Sequence, residues 1–200
     1  MSEKSFKIDT ISPCFQGHFT MNKVLLKHTL YQGGWSKTIE RELFAHGDAV
    51  LVLLYDSNKE EVILVEQFRV GAIANANKNG DASQAWLLEP VAGMIDLGET
   101  AEEAGIREAN EEAGVVIEQL EYVCQFYPSP GAYDEVLHLY AAEVSSTDVS
   151  DYAGLEDEHE DIRVVKISFS EAKQRLLNAE FNVASTLIAL QWLFFQKLSG

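Results

Sequence analysis

Gly93-Met94-Ile95-Asp96-Leu97-Gly98-Glu99-Thr100-Ala101-Glu102-Glu103-Ala104-Gly105-Ile106-Arg107-Glu108-Ala109-Asn110-Glu111-Glu112-Ala113-Gly114-Val115 is the stretch on which the reading of this 200-residue chain turns. Its second half predicts a helix over 100–113. Thr100 caps the helix, Glu103 is spaced to reach back in a capping box, and Gly114 suits the left-handed residue that stops it. Glu108, Glu111 and Glu112 stand at i, i+3 and i+4, so they share one helix face with Cβ atoms about 5–6 Å apart. Three carboxylates so close repel one another, and a sequence that keeps them either exposes them fully or neutralises them with cations. Carboxylate oxygens are hard ligands, suited to Mg²⁺ or Mn²⁺ rather than to Zn²⁺, which recruits His or Cys. An ordinary acidic solvent face is the competing reading of the triplet taken alone. Glu99 comes within reach of the same area if the preceding loop folds back, and Gly93 and Gly98 supply the backbone freedom for that loop.

Working outward, the formal charge of the chain is −17, from 32 acidic and 15 basic residues. Residues 92–115 carry −6 of it and residues 148–161 carry −7, so two short segments hold most of the acidity. Such a balance argues against nucleic-acid binding, which needs clustered Lys and Arg, and against an electrostatic anchor on anionic lipid. No apolar run approaches the roughly 18 residues of a membrane-spanning helix. Cys14 and Cys124 fit no metal spacing and no disulfide framework, so a reducing cytoplasm is the expected compartment. At 46% hydrophobic residues the chain has ample material for a core.

Residues 22–31 and 37–44 predict a hairpin around Gly33-Gly34, and 49–55 with 61–66 predict a second around Asp56-Ser57-Asn58. Residues 71–85, rich in Ala, Asn and Gly, read as an exposed loop, and 86–95 as one extended run. Strands follow at 118–127, 135–144 and 161–167, with helices at 170–178 and 183–198. The order predicts an α/β (α+β) fold with a mixed sheet and helices packed on it. A zincin motif, an EF-hand and a P-loop are each missing a required position.

The opening stretch resembles the Nudix box, G-x5-E-x7-R-E-U-x-E-E-x-G-U, in which U is aliphatic; every fixed position is met, with Ala109 small for its apolar slot. The resemblance extends over nearly the whole chain. Glu66-Gln67-Phe68-Arg69, Leu88-Glu89-Pro90-Val91-Ala92-Gly93, Ser129-Pro130-Gly131 with Pro130 about fifteen residues after the box, and the acidic run 154–164 are similar to the ADP-ribose pyrophosphatase group. It implies a Nudix-type α/β/α sandwich over residues 46–200 behind an N-terminal antiparallel β-subdomain over residues 1–45.

The resemblance also implies a function. It is Mg²⁺-dependent hydrolysis, with Mn²⁺ as a substitute, of ADP-ribose to AMP and ribose 5-phosphate. The alternatives are another nucleoside diphosphate sugar as substrate, or a non-catalytic ADP-ribose sensor. Carried over by position, Glu108, Glu111, Glu112 and the carbonyl of Ala92 are the expected metal ligands, and Arg107 holds the loop, through Glu99, against the helix. Glu158 is the expected general base, with Glu160 its competitor. Arg69 is the expected clamp on phosphate or ribose. Arg41 and His18, beside Phe19, take the positions of the adenine sandwich, and Glu135 lies towards the terminal ribose or the metals. The implied assembly is a homodimer in which the N-terminal subdomain completes the partner's site.

Overall fold

The computed structural model describes residues 3–198, apart from the side chain of Glu158. The chain divides into two units, one formed by residues 1–48 with 126–136 and the other by 49–125 with 137–200.

The first unit is built on a three-stranded antiparallel sheet of β1 (Phe6–Gln16), β2 (Thr20–His28) and β3 (Ile39–Ala45), in that order. The expected hairpin around Gly33-Gly34 is β2–β3, with both glycines in the left-handed region that the turn requires. β1 has no counterpart in the sequence reading. Register shifts between Ile8 and Thr10 and between Pro13 and Phe15 break its alternation, so the period-2 signal of a strand is lost.

The second unit carries an eight-stranded mixed sheet. Its main path runs β10 (Tyr152–Ala153), β11 (Ile162–Ser168), β5 (Glu61–Phe68), β4 (Ala49–Asp56), β9 (Leu137–Glu143) and β8 (Glu121–Phe126). β4 and β9 run parallel. All eight residues of β4 are buried, as an apolar run without alternation requires when both sheet faces are covered. The extended run at 86–95 is two strands, β6 (Trp86–Glu89) on β5 and β7 (Val91–Met94) on β4, parted at Pro90, which has no N–H for a ladder.

Residues 71–85 depart from the loop expectation. They form a 3₁₀ turn at Val70–Ala72, the helix α1 (Ile73–Asn79) and a second 3₁₀ turn at Ala82–Ala85. The helix lacks an apolar stripe and buries only Ala76, which is why periodicity missed it; Gly80 in the left-handed region closes it.

α2 (Ala101–Ala113) is the helix read from the sequence, with its capping box at Thr100 and Glu103 and its left-handed stop at Gly114. Its sheet-facing residues are small. Ala104, Ala109 and Ala113 pack with Val50, Val52 and Leu54 of β4, and a Cβ on Gly105 would stand 3.0 Å from both Leu120 and Val52. The small residue at 109 therefore serves close approach of helix to sheet. α3 (Phe169–Leu177) and α4 (Ala184–Trp192) complete the unit, and α4 is pinned where Thr186 Oγ1 donates to the carbonyl of Leu88 at 2.7 Å. Among the described residues no helix is long and apolar enough to cross a membrane.

One buried carboxylate holds the end of β4. Asp56, 2% exposed, accepts from the backbone N–H of Ser146 at 2.8 Å, of Asn58 at 2.9 Å and of Lys59 at 3.0 Å. These bonds, Ser146 foremost, hold its carboxyl below the ordinary value of 3.8. A depressed carboxyl stabilises the fold above its unfolded pKa, and that contribution is lost as pH falls through the folded one. Asp56→Ala is expected to cost about 2–3 kcal/mol, mainly by orphaning the buried Ser146 N–H. In urea titrations the gap to wild type should be full at neutral pH and shrink only below 3.8. A gap that stays constant down to pH 2 would contradict it.

Candidate active site

Close packing of α2 on the sheet carries Glu112 inward until it is 1% exposed. Its Oε2 accepts the backbone N–H of Ala92 on β7 at 2.8 Å, and its Oε1 accepts Nε2 of Gln67 on β5 at 2.9 Å. Both donors are neutral. Burial pushes the Glu112 carboxyl up to about 7, against the pull of those two bonds.

Arg107 organises the rest of the helix face. Its Nε and Nη2 reach the two oxygens of Glu99, each at 3.0 Å, and Nη2 also donates to the carbonyl of Met94 at 3.0 Å. Its Nη1 reaches Glu108 Oε1 at 2.6 Å and Glu111 Oε2 at 3.0 Å. One guanidinium thus ties the 94–99 loop to α2, in the forked geometry that suits arginine. The Arg107 bond holds Glu99 below the usual carboxylate range. Glu108 goes the other way: burial lifts it to about 7, with Glu111 and Glu160 adding like-charge repulsion. Its carboxylate lies against the backbone of Gly93, where an added Cβ would fall 1.8 Å from Glu108 Oε1. A side chain at 93 would force the Glu108 carboxylate to move from this position.

The acidic loop comes to the same place. Gly154 N–H donates to the carbonyl of Glu111 at 3.0 Å, and Glu160 Oε2 accepts the N–H of Leu155 at 3.2 Å. Glu156–Glu158 is a single 3₁₀ turn; the Glu158 side chain, the expected base, lies outside the described residues. Arg69, just after β5, donates through Nε to Glu89 at 2.6 Å and remains 38% exposed.

Among the described residues no three His, Cys, Asp or Glu side chains stand in an arrangement that holds a metal ion. The contacts give the reason: Arg107 engages Glu108 and Glu111, while Glu112 is turned to Gln67 and Ala92. The donor set still fits a hard divalent cation, because Mg²⁺ is held by one or two carboxylates with substrate phosphates rather than by a closed protein cage. Glu112 is the clearest case. Buried and touched only by neutral donors, its carboxylate is disfavoured as an anion, a penalty that a bound cation would offset.

His18, Arg41 and Glu135 belong to the first unit. The His18 ring meets Phe19 edge-on at 4.5 Å, and Arg41 Nη1 donates to the carbonyl of Glu40 at 2.7 Å. Glu135 is buried, with Oε1 3.2 Å from Nδ1 of His46; His46 in turn stacks on Phe19 and lies beside Tyr133. Gln67, Glu89 and His46 carry contacts that the sequence reading assigned to no role. The signal for Gln67 was a lone amide in an apolar strand, two residues before Arg69 and so on the same side of β5.

Known proteins resemble the chain in sequence and in fold. The NUDIX domain model matches residues 45–186. The chain is 36% identical over 192 residues to the ADP-ribose pyrophosphatase of Haemophilus influenzae, covering 96% of this chain and 87% of that one. Identity to the ADP-ribose pyrophosphatase of Escherichia coli is 39% over 180 residues, 90% and 83% of the two chains. The GDP-mannose pyrophosphatase of Salmonella arizonae is 34% identical over 187 residues, 92% of each. A solved structure described as an ADP compounds hydrolase superposes with a TM-score of 0.66 at 22% identity, over 98% of this chain and 96% of that one, a likeness of fold.

Proposed function

Because the chain belongs to the Nudix family and is a Nudix hydrolase, we propose that it hydrolyses the diphosphate of ADP-ribose, with water as co-substrate, to AMP and ribose 5-phosphate. The observation that carries this reading is the buried Glu112 carboxylate, held by neutral donors beside Glu108 and Glu111 on one helix face. Identity of 36–39% to ADP-ribose pyrophosphatases over at least 90% of the chain supports the substrate.

Glu108, Glu111, Glu112 and the Ala92 carbonyl are the residues to hold a divalent cation, Mg²⁺ or Mn²⁺. When bound, that cation supplies neutralisation of the diphosphate charge and acidification of the attacking water. Arg107 keeps the loop and helix together through Glu99, and Glu108 and Glu111, which it also binds, would be shared with the cation when one is bound. Arg69, oriented by Glu89, binds a substrate phosphate or ribose. Glu158 takes the proton from water, with Glu160 the alternative on the same loop. Arg41 and His18 complete the adenine site of the partner copy, and Glu135 serves the terminal ribose or the metals.

Two copies pair through the N-terminal sheet. Support comes from Phe6, Ile8 and Ile11, which are 68%, 48% and 55% exposed and register with His28, Leu26 and Val24 along one face of β1 and β2. Ile11→Glu should shift sedimentation from dimer to monomer, and wild-type protein that sediments as a monomer would exclude the pairing. Similarity to GDP-mannose pyrophosphatases makes GDP-mannose the second reading. A panel of ADP-ribose, ADP-mannose, GDP-mannose and NADH with Mg²⁺ should give the highest kcat/KM on ADP-ribose. Running it with Glu158→Gln and Glu160→Gln separates the two bases, the former being the variant expected to lose turnover. Preference for GDP-mannose would replace the substrate and leave the cation chemistry standing.

A further inference from the structure

We propose that Gln67 is a positioning residue for Glu112, its side-chain amide setting which carboxylate lone pairs face the cation; this rests on the reading of Glu112 as a cation ligand. An ionised carboxylate offers about four acceptor positions on two oxygens. Gln67 Nε2 takes one on Oε1 and the Ala92 N–H takes one on Oε2. Rotating the carboxylate plane breaks both bonds together, so the remaining lone pairs have a fixed direction. The donors come from two neighbouring parts of the sheet, β5 and β7, which makes the sheet, and not the helix alone, the reference frame for Glu112.

The choice of residue argues for donation over packing. Gln67 is 6% exposed, and Val62, Ile63, Leu64 and Val65 before it on the same strand are buried and apolar. Burying an amide at such a position is unfavourable unless it is bonded, and Leu or Met would fill the space without that penalty. A cationic donor would hold Glu112 as firmly, but it would compete with a metal ion for the carboxylate. Glutamine supplies an N–H of sufficient reach with no charge. Glu108 and Glu111 differ, since Arg107 binds them directly.

The test is Mn²⁺ binding to the full chain without substrate, followed by electron paramagnetic resonance, on wild type, Gln67→Met, Gln67→Asn and Glu112→Gln. Met matches the length of Gln and lacks the donor; Asn keeps an amide one methylene short and decides the matter if the Met variant folds poorly. Both Gln67 variants should bind Mn²⁺ about 10–100-fold more weakly, the usual loss when a partner of a metal ligand is removed. Half-maximal turnover should need correspondingly more Mg²⁺, with KM for substrate at saturating Mg²⁺ unchanged and turnover recovering as Mg²⁺ is raised. A packing role would move none of these. Wild-type Mn²⁺ affinity in both Gln67 variants, with binding lost in Glu112→Gln, would overturn the positioning role alone. Wild-type affinity in Glu112→Gln would remove Glu112 as a ligand, and the role of Gln67 with it.

Discussion

Glu112→Gln is expected to lower ADP-ribose turnover by about 10³-fold, the scale on which a single strong electrostatic contact to the reacting centre is felt. The exchange is nearly isosteric and removes the charge that a cation would offset. Its effect on the fold is small because two changes oppose each other. A buried charge is relieved, while the new amide turns an N–H towards one of two groups that are themselves donors, Gln67 Nε2 and Ala92 N. Net stability should shift by no more than about 1–2 kcal/mol. Turnover measured at saturating Mg²⁺, beside a melting curve, separates these effects. Near-wild-type turnover would reject Glu112 as a ligand.

Arg107→Met should produce the largest loss of stability. One guanidinium serves Glu99, Glu108 and Glu111, and the arginine side chain is 31% exposed, so solvent screens part of the attraction. Removing the shared partner of buried charges costs about 3–5 kcal/mol, and partial exposure reduces that here to about 2–4. For a chain of this size the melting temperature should fall by roughly 5–10 °C. Divalent cation should restore part of the loss, since the released carboxylates then have another counter-charge. A melting temperature within about 1 °C of wild type without added cation would contradict the hub assignment.

Much of this was legible in the sequence because local chemistry dictated it. Thr100, Glu103 and Gly114 fix both ends of α2 by capping, and the spacing of Glu108, Glu111 and Glu112 follows from helical geometry alone. The apolar run Ala49–Tyr55 announced a strand, and its burial on both faces came from the structure. β1 was not legible, because its register shifts scramble the pattern that marks a strand. α1 was missed for a related reason, since a short Ala- and Asn-rich helix with one buried residue has no periodicity to detect. At the site, residue types were readable but their partners were not. Gln67 meets Glu112 across 45 positions, a contact set by the packing of α2 on the sheet, and Arg69 meets Glu89 across 20, a contact set by the pairing of β5 with β6. The pairing of His46 with Glu135 depends likewise on segment 126–136 joining the first unit.

Acidity concentrated in two segments therefore marks one place. Gly154 of the second segment is hydrogen-bonded to Glu111 of the first, and Glu160 is near enough to Glu108 to raise its pKa. The direct measurement of what that place does is release of AMP and ribose 5-phosphate from ADP-ribose, with Mg²⁺ and then with excess EDTA. The expected result is stoichiometric formation of both products with Mg²⁺ and its loss on chelation. No cleavage of ADP-ribose with Mg²⁺ or Mn²⁺, or cleavage indifferent to EDTA, would contradict the account.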